Sequence, residues 1–408
     1  MRVVGLALLL TPSAAFAARV VKGPWILDVE GDRATIVFEL DAEAPANVVL
    51  VDRGGQERTV ASRAQTLHRV KLTGLEPARR YRFRVEVEGS RVPEGTFMAA
   101  PLLHWPAKYL VYGDTRTNHD DHASVVRAML RERPDVVVHT GDYVADGADD
   151  DGWVTYFDVA KRLLRRAMIL PTMGNHESYR PGGKEAYQRH LALAGAREGA
   201  TEDAVARWGD TVFLLMSSNN AGFPAAQRRW FEGRMEAFAN DRTVRWRVAV
   251  LHHGPFSSGH HGGNEEMKRD GLVEFLRGAG VDVVFCGHDH DYERGVADLP
   301  FVVTGGGGAP LYPTNRQESY QERFEATLHY LRVESEEAGL RVTAVRPDGT
   351  SIESCVLEGG AWECRGGRRP VRPAEGASVG WIEIAAAGGG LLAVAMMFGA
   401  RLVRRLRG

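Results

Sequence analysis

The sequence predicts an α/β domain preceded by a small all-β sandwich, with a segment of different character at each end. Three observations carry that expectation. From residue 105 onward, short apolar runs alternate with amphipathic stretches of helical period. From about residue 20 to 100, β-branched and aromatic residues cluster or alternate at short intervals between Gly and Pro turns. Five of the later apolar runs end in Asp, Asn or His.

Length and charge set bounds first. The 408 residues suffice for two or three domains, and a hydrophobic content of 44% is ordinary for folded protein. A net charge of −2 gives no electrostatic basis for binding nucleic acid, and that partner is not expected.

Residues 1–17, "MRVVGLALLLTPSAAFA", read as a secretory signal peptide. Arg2 gives the positive start, Val3 to Leu10 the apolar core, and Ala15-Phe16-Ala17 a small-residue cleavage site. The core is too short to span a bilayer, and the lack of a twin arginine favours general export. A buried first strand is the blander reading.

Residues 18–100 supply the all-β part. "RATIVFEL", "ANVVLVD", "LHRVKL" and "RRYRFRVEVEG" are its strand candidates. In "LTGLEPARRYRFRV", Leu75, Pro77 and Tyr81 resemble the corner of fibronectin type III domains. His68 is the one histidine here among fourteen in the chain, which leaves little scope for metal chemistry.

Residues 101–357 supply the α/β part. Its strand candidates are "AKYLVYGD", "PDVVVHTGD", "AMILPTMGNHE", "WRVAVLHHGP" and "VDVVFCGHDH". Between them "HASVVRAMLRER", "WVTYFDVAKRLLRRA", "QRRWFEGRMEAF" and "LVEFLRGAG" read as helices. Cys355 and Cys364 flank a short loop and are candidates for a disulfide in an oxidising compartment, whereas Cys286 reads as a buried thiol.

Residues 358–378 read as a linker, because the Gly, Pro and Arg of "RGGRRPVRPAEGAS" build no core. Residues 379–402 read as a transmembrane helix: Val379 to Ala400 is apolar apart from Glu383, about the 20 residues a span needs. The basic tail, 403–408, together with Arg401 would hold that end in the cytoplasm. A buried helix, or a sorting tail removed after export, remains open. The expected location is outside the cytoplasm, periplasmic or extracellular, with the membrane as a partner through this helix.

In an open α/β sheet, ligands gather at the carboxyl ends of the strands. The five ends supply Asp114, Asp142, Asn175 with His176, His252 or His253, and His288 with His290. Carboxylate, amide oxygen and imidazole without thiolate suit Fe, Mn or Zn and not a closed structural zinc. Two carboxylates and three or more imidazoles exceed the needs of one tetrahedral ion, so two divalent or trivalent ions are the simpler reading. Such a pair can clamp the attacking and leaving oxygens of a phosphoryl displacement. Each piece alone also fits a structural turn; their joint occurrence at strand ends carries the inference.

The order "GD…GD…GNHE…HH…GHDH" resembles the calcineurin-like metallophosphoesterase family. "GHDHDYER" with the preceding β-sandwich is similar to its purple acid phosphatase branch, over roughly residues 20–350. The resemblance implies a four-layer α/β/β/α sandwich with a two-metal centre. It implies that Asp114 and His290 hold the first metal, that Asp142 bridges, and that Asn175, His252 and His288 hold the second. His176 would contact the phosphate, and His260 or His261 would protonate the leaving group. In "LHHGPFSSGHHGG" the strand-end position favours His252 over His253.

Two departures bear on the first metal. The purple enzymes have a Tyr three residues after the bridging Asp; here Ala145 stands there, with Tyr143 one residue along. The wider family has His two residues after the first Asp; here it is Arg116. His122 is the proposed substitute ligand and His119 the second choice, while a solvent-facing His122 is the alternative. Without a Tyr–Fe(III) bond the protein is not expected to be purple. Arg116 is a candidate phosphate contact, since its fork matches phosphate oxygens, or a structural partner of a nearby Asp.

The expected function is hydrolysis of phosphate monoesters, since a metal pair lowers the pKa of bound water to about 7. Two alternatives stand: a phosphodiesterase on the same centre, and a surface binding protein with a degenerate metal site. "TGGGGAPLY" reads as a tight loop beside the site. Asp289, Asp291 and the Glu293–Arg294 pair read as supports of the histidine loop, and His139, His190 and His329 as core or surface groups.

Overall fold

The structure is a computed structural model that describes residues 18–365 apart from 89, 221, 314 and 315. The expected signal peptide at 1–17, the transmembrane helix at 379–402 and the tail at 403–408 lie outside the described residues. Among the described residues no helix is long and apolar enough to cross a membrane.

The N-terminal part is all-β, with two of the expected strands merged into one longer strand. "RATIVFEL" and "ANVVLVD" belong to one strand, Arg33–Val51, that runs through "DAEAP". Its pairing with Glu57–Thr73 shifts register between Glu39 and Ala46, so Pro45 sits at an irregularity where a missing N–H costs no ladder bond. The same long strand pairs with Val20–Leu27 and with Arg80–Val87. The Tyr81 hydroxyl accepts the Glu76 N–H at 3.0 Å, which ties the corner seen in "LTGLEPARRY". Val20–Leu27 also pairs in parallel with Met168–Pro171, so these strands extend one thirteen-stranded sheet shared with the α/β part.

That sheet has Lys108–Tyr112, Val136–His139 and Met168–Pro171 as parallel neighbours. Antiparallel strands Tyr330–Glu336, Gly339–Val345, Ser351–Glu358 and Ala361–Arg365 continue it outward. A second sheet of seven strands holds Thr211–Leu215, Trp246–Leu251, Val283–Cys286 and Pro300–Thr304 in parallel. Because parallel strands are buried on both faces, their segments are apolar throughout and do not alternate.

Each face has its own partner layer. Tyr109, Val111, Val138 and Leu170 of the first sheet pack against Phe213, Leu215, Val250 and Phe285 of the second. On the outer face of the first sheet, Leu110, Tyr112 and Val137 meet Val125 and Met129 of helix His119–Arg131. On the outer face of the second, Leu214, Leu251 and Val284 meet Phe231 of helix Ala225–Glu236 and Phe275 and Leu276 of helix Leu272–Gly278. The four-layer α/β/β/α order follows.

Cys355 and Cys364 face each other across the last hairpin and are joined by a disulfide, with Cα atoms 4.0 Å apart. Residues 361–365 are therefore the last strand of the sheet, and the linker expected from residue 358 starts too early. The cause is the Gly359-Gly360 turn, where both residues take positive φ and close a hairpin. Cys286 is buried as a free thiol that donates to the Val302 carbonyl at 3.7 Å.

A buried charge network joins the N-terminal strands to the helices. Glu39 accepts from Lys22 Nζ at 3.0 Å, from Arg189 at 2.7 Å and from His190 Nε2 at 3.1 Å. Burial alone would raise the Glu39 carboxyl; the hydrogen bonds from His190, Arg189 and Lys22 outweigh it and hold the group far below the carboxylate range. Glu39→Gln leaves Arg189 short of a counter-charge and Lys22 with Asp150 alone, and should destabilise the protein by about 3 kcal/mol at pH 7. A carboxyl lowered on folding stabilises above its unfolded pKa of about 4.3 and loses that contribution as pH falls. Urea unfolding of both proteins should therefore show a gap at pH 7 that narrows below about pH 4.

Candidate metal centre

Five strand ends from two sheets meet at one edge of the sandwich. Asp114 follows Lys108–Tyr112, Asp142 follows Val136–His139, and Asn175 follows Met168–Pro171. His252 follows Trp246–Leu251, and His288 and His290 follow Val283–Cys286. Three of these residues, Asp114, Asp142 and His288, have φ of 58°, 57° and 72°, a left-handed backbone that costs a non-glycine residue about 1–2 kcal/mol. The preceding glycines are sterically required. A Cβ on Gly174 would lie 2.1 Å from Asp142 Oδ1, and one on Gly287 would lie 2.3 Å from Asp114 Oδ2.

The side chains form two groups whose donor atoms lie within 4.8 Å of one another: Asp114, Asp142 and His290, and His252, His253 and His288. Asp142 stands between them. Its Oδ1 is 3.3 Å from His252 Nε2, and its Oδ2 is 3.3 Å from Arg116 Nε and 3.8 Å from His176 Nε2. Asp114 Oδ1 is 3.5 Å from His290 Nε2. The Asn175 amide donates to the Tyr179 hydroxyl, which turns its oxygen inward to 2.8 Å from His252 Nε2.

The proton positions follow from the outer contacts. His252 Nδ1 donates to the Thr140 carbonyl at 2.9 Å, and His290 Nδ1 donates to the Pro310 carbonyl at 2.6 Å. In a neutral ring that leaves Nε2 as a lone pair aimed at the centre. Burial, followed by the neighbouring His253, pushes His252 well down; burial and Arg116 push His290 down to about 3; burial and the surrounding histidines push His288 down. All three are neutral at ordinary pH. Burial, reinforced by Asp142, pushes the Asp114 carboxyl well up. Ring lone pairs and the two carboxyl groups thus converge on each other, and a cation in each group satisfies the arrangement. Residues and metal fit.

Several other expected site residues lie around the two groups. His176 lies at the rim, with Nδ1 donating to the Ala145 carbonyl at 2.6 Å and Nε2 facing Asp142. His261 comes nearer the centre than His260: its ring is 4.3 Å from that of His288, whereas His260 contacts His261 and Tyr312. His253 joins the second group as well as His252, with Nδ1 3.1 Å from the Ser218 hydroxyl oxygen. Arg116 Nε lies 3.3 Å from Asp142 Oδ2.

His122 is a correction. It is buried on helix His119–Arg131 with its ring stacked on Tyr156 at 5.7 Å and near Tyr112, and it joins neither donor group. Its helix covers the outer face of the first sheet, which carries the ring into the aromatic layer behind the site. His119, the second choice, is exposed at the start of that helix. Tyr143 is also directed away, stacked on His139 at 3.8 Å.

Two residues escaped the sequence reading. Glu177 is fully buried and accepts backbone N–H bonds from Asp142, Tyr143, Val144 and Gly174 at 2.9–3.3 Å. Burial and the Asp142 charge push it up to about 8 against those bonds. It stitches the loop of Asp142 to the loop of Asn175; the signal was its place in "GNHE". Tyr312, in "GGGGAPLY", lies with its ring parallel to His290 at 4.1 Å; a lone loop tyrosine gives no sequence signal.

Residues 107–292 match the calcineurin-like phosphoesterase family, and the chain carries that domain. Residues 17–101 match a domain of unknown function, DUF7800, which does not confirm the fibronectin-like expectation for them. An uncharacterized protein of Mycobacterium tuberculosis is 25% identical over 264 residues, covering 55% of this chain and 49% of that protein. Purple acid phosphatase 22 of Arabidopsis thaliana is 24% identical over 237 residues, covering 56% and 53%. The chain thus spans about half the length of these curated relatives. Among solved structures, the purple acid phosphatase PPD1 of yellow lupin superposes with a TM-score of 0.70 at 16% identity, covering 83% of this chain and 74% of that one. PhoD superposes with a TM-score of 0.66 at 12% identity, covering 88% and 94%. These likenesses establish a mixed α/β metallophosphoesterase fold.

Metal analysis after gentle purification tests the ligand assignment. Asp142→Asn and His288→Ala should each lower bound metal from about two ions per chain to one or fewer, with the far-ultraviolet spectrum unchanged. His122→Phe should keep both ions, and metal loss in that variant would restore His122 as a ligand.

Proposed function

We propose that this chain, carrying a calcineurin-like phosphoesterase domain, is an exported, membrane-tethered phosphatase that hydrolyses phosphate monoesters with two metal ions. The observation that carries the reading is Asp142, grouped with Asp114 and His290 and with its Oδ1 3.3 Å from His252 Nε2 of the other donor group. Asp114, Asp142 and His290 would hold one ion, and Asp142, Asn175, His252 and His288 the other, with His253 as a further donor. The donor set of carboxylate, amide and imidazole suits Fe, Mn or Zn.

When bound, such a pair makes hydroxide available near neutral pH and neutralises charge on phosphoryl oxygens. The chain's own residues do the rest. His176, held through Nδ1 by Ala145, presents Nε2 at the rim, where in its protonated form it donates to a phosphoryl oxygen in the transition state. His261, whose backbone N–H donates to Asp289 Oδ1 at 2.8 Å, is the group we assign to return a proton to the leaving oxygen, with His260 beside it. Glu177 keeps the two ligand loops in register and touches no substrate.

Export rests on the signal-like residues 1–17 and on the disulfide, which persists in an oxidising compartment. Tethering rests on the apolar stretch 379–400 and its basic flank.

Assay of the metal-loaded protein on p-nitrophenyl phosphate and on bis(p-nitrophenyl) phosphate tests the reading. Turnover should be faster on the monoester and should vanish on chelation. Faster turnover of the bis ester identifies a diesterase, and no turnover of either identifies a degenerate centre. In the active protein, His176→Ala should lower kcat about 100-fold or more, the typical loss of one donor to developing charge.

A further inference from the structure

We propose that Tyr312 is a specificity-determining residue: with Arg116 it clamps a terminal phosphoryl oxygen and so selects monoesters over diesters. The proposal rests on the phosphatase reading above and assigns a substrate class to two residues of that site. Tyr312 sits in the loop after strand Pro300–Thr304, and that loop is tied twice to His290. The Tyr312 N–H donates to the His290 carbonyl at 3.1 Å, and His290 Nδ1 donates to the Pro310 carbonyl at 2.6 Å. The two rings are nearly parallel, 15° apart in plane, with centroids 4.1 Å apart. Tyr312 also borders His260 and His261, at 5.3 and 5.5 Å between ring centroids. One aromatic ring thus spans from the first donor group to the leaving-group histidines.

Its hydroxyl gives this position a chemistry. Arg116 Nη2 lies 3.5 Å from the Tyr312 hydroxyl and 3.4 Å from His290 Nε2, and Arg116 Nε lies 3.3 Å from Asp142 Oδ2. A guanidinium carries five N–H donors; with the His290 lone pair given to an ion, Asp142 and the Tyr312 hydroxyl would use two, which leaves three for an anion. The Arg116 side chain is 16% exposed against 1% for Asp142, so it forms the outer wall of the centre and can be reached by a ligand. A monoester dianion presents three non-bridging oxygens, and a two-pronged donor fixed between Asp142 and Tyr312 fits the outermost. In a diester, one of those oxygens carries a second carbon arm. Placed here, that arm would meet the Tyr312 ring and strand the guanidinium donors without an acceptor.

Arg116 occupies the position where the wider family has a histidine, and Ala145 the position of the tyrosine in the purple enzymes. Tyr312 approaches the same neighbourhood from another loop. It is placed to orient Arg116 and makes its contact with the first donor group through the face of His290, not through its oxygen.

The test compares wild type, Tyr312→Phe, Arg116→Ala and the double variant, all metal-loaded, on both nitrophenyl esters. Binding of inorganic phosphate by calorimetry and metal content are read on the same samples. Tyr312→Phe keeps the ring and removes only the hydroxyl, so the monoester-to-diester ratio of kcat/KM should fall about tenfold, the cost of a hydrogen bond to a charged group. Phosphate binding should weaken by a similar factor, metal content should hold at the wild-type value, and the double variant should be within about twofold of Arg116→Ala. An unchanged ratio in an active Tyr312→Phe protein, metal loss in that variant, or fully additive losses in the double variant would each overturn the clamp alone. A wild type that neither hydrolyses an ester nor binds phosphate would overturn the phosphatase reading together with the clamp.

Discussion

The constraint on which the rest of the structure depends is electrostatic. Two buried carboxylates, Asp114 and Asp142, and the ring nitrogens of His252, His288 and His290 are brought to one sheet edge with their lone pairs facing inward. Carbonyls of Thr140 and Pro310 have already taken the Nδ1 hydrogens of two of the rings. Such a set is unfavourable unless a cation completes it, because desolvated like charges repel and unpaired acceptors lose their water. The fold therefore stores a demand for positive charge, and Arg116 alone meets only part of it.

The scaffold around the site is organised to hold that demand in place. Two sheets packed face to face bring five loops to a common edge, and helices on the outer faces bury the remaining apolar surface. Close approach of the loops excludes Cβ atoms at Gly174 and Gly287, and forces Asp114, Asp142 and His288 into left-handed backbone. Glu177 offsets part of that cost by gathering four backbone N–H groups from two loops into one carboxylate. Strain at a ligand and a buried acid behind it are two sides of the same arrangement: the backbone is held where a ligand set requires it.

Much of this was legible in the sequence because strand ends are legible. Apolar runs of four to six residues ending in Gly-Asp, Gly-Asn-His or Gly-His mark both the strand and its ligand, and the glycine is there for a steric reason that also shapes the motif. The long strand Arg33–Val51 was not legible, because Pro45 in "DAEAP" imitates a turn and only pairing with Glu57–Thr73 shows that the chain continues. His122 misled for a similar reason. It lies at the start of the helix that follows Asp114 in the chain, but the face of that helix is decided by the aromatic layer of Tyr112 and Tyr156. Tyr312 reaches the site through a glycine-rich loop whose path no local pattern records, and Glu177 acts through backbone groups that carry no side-chain signature.

The central claim is that the two donor groups hold a pair of ions sharing Asp142. X-ray absorption at the metal edge of the purified, metal-loaded protein, together with anomalous scattering from its crystals, tests it most directly. The account predicts two ions about 3.5–4 Å apart, one against Asp114 and His290 and the other against Asn175, His252 and His288. A single ion, or a pair bound away from Asp142, would contradict it.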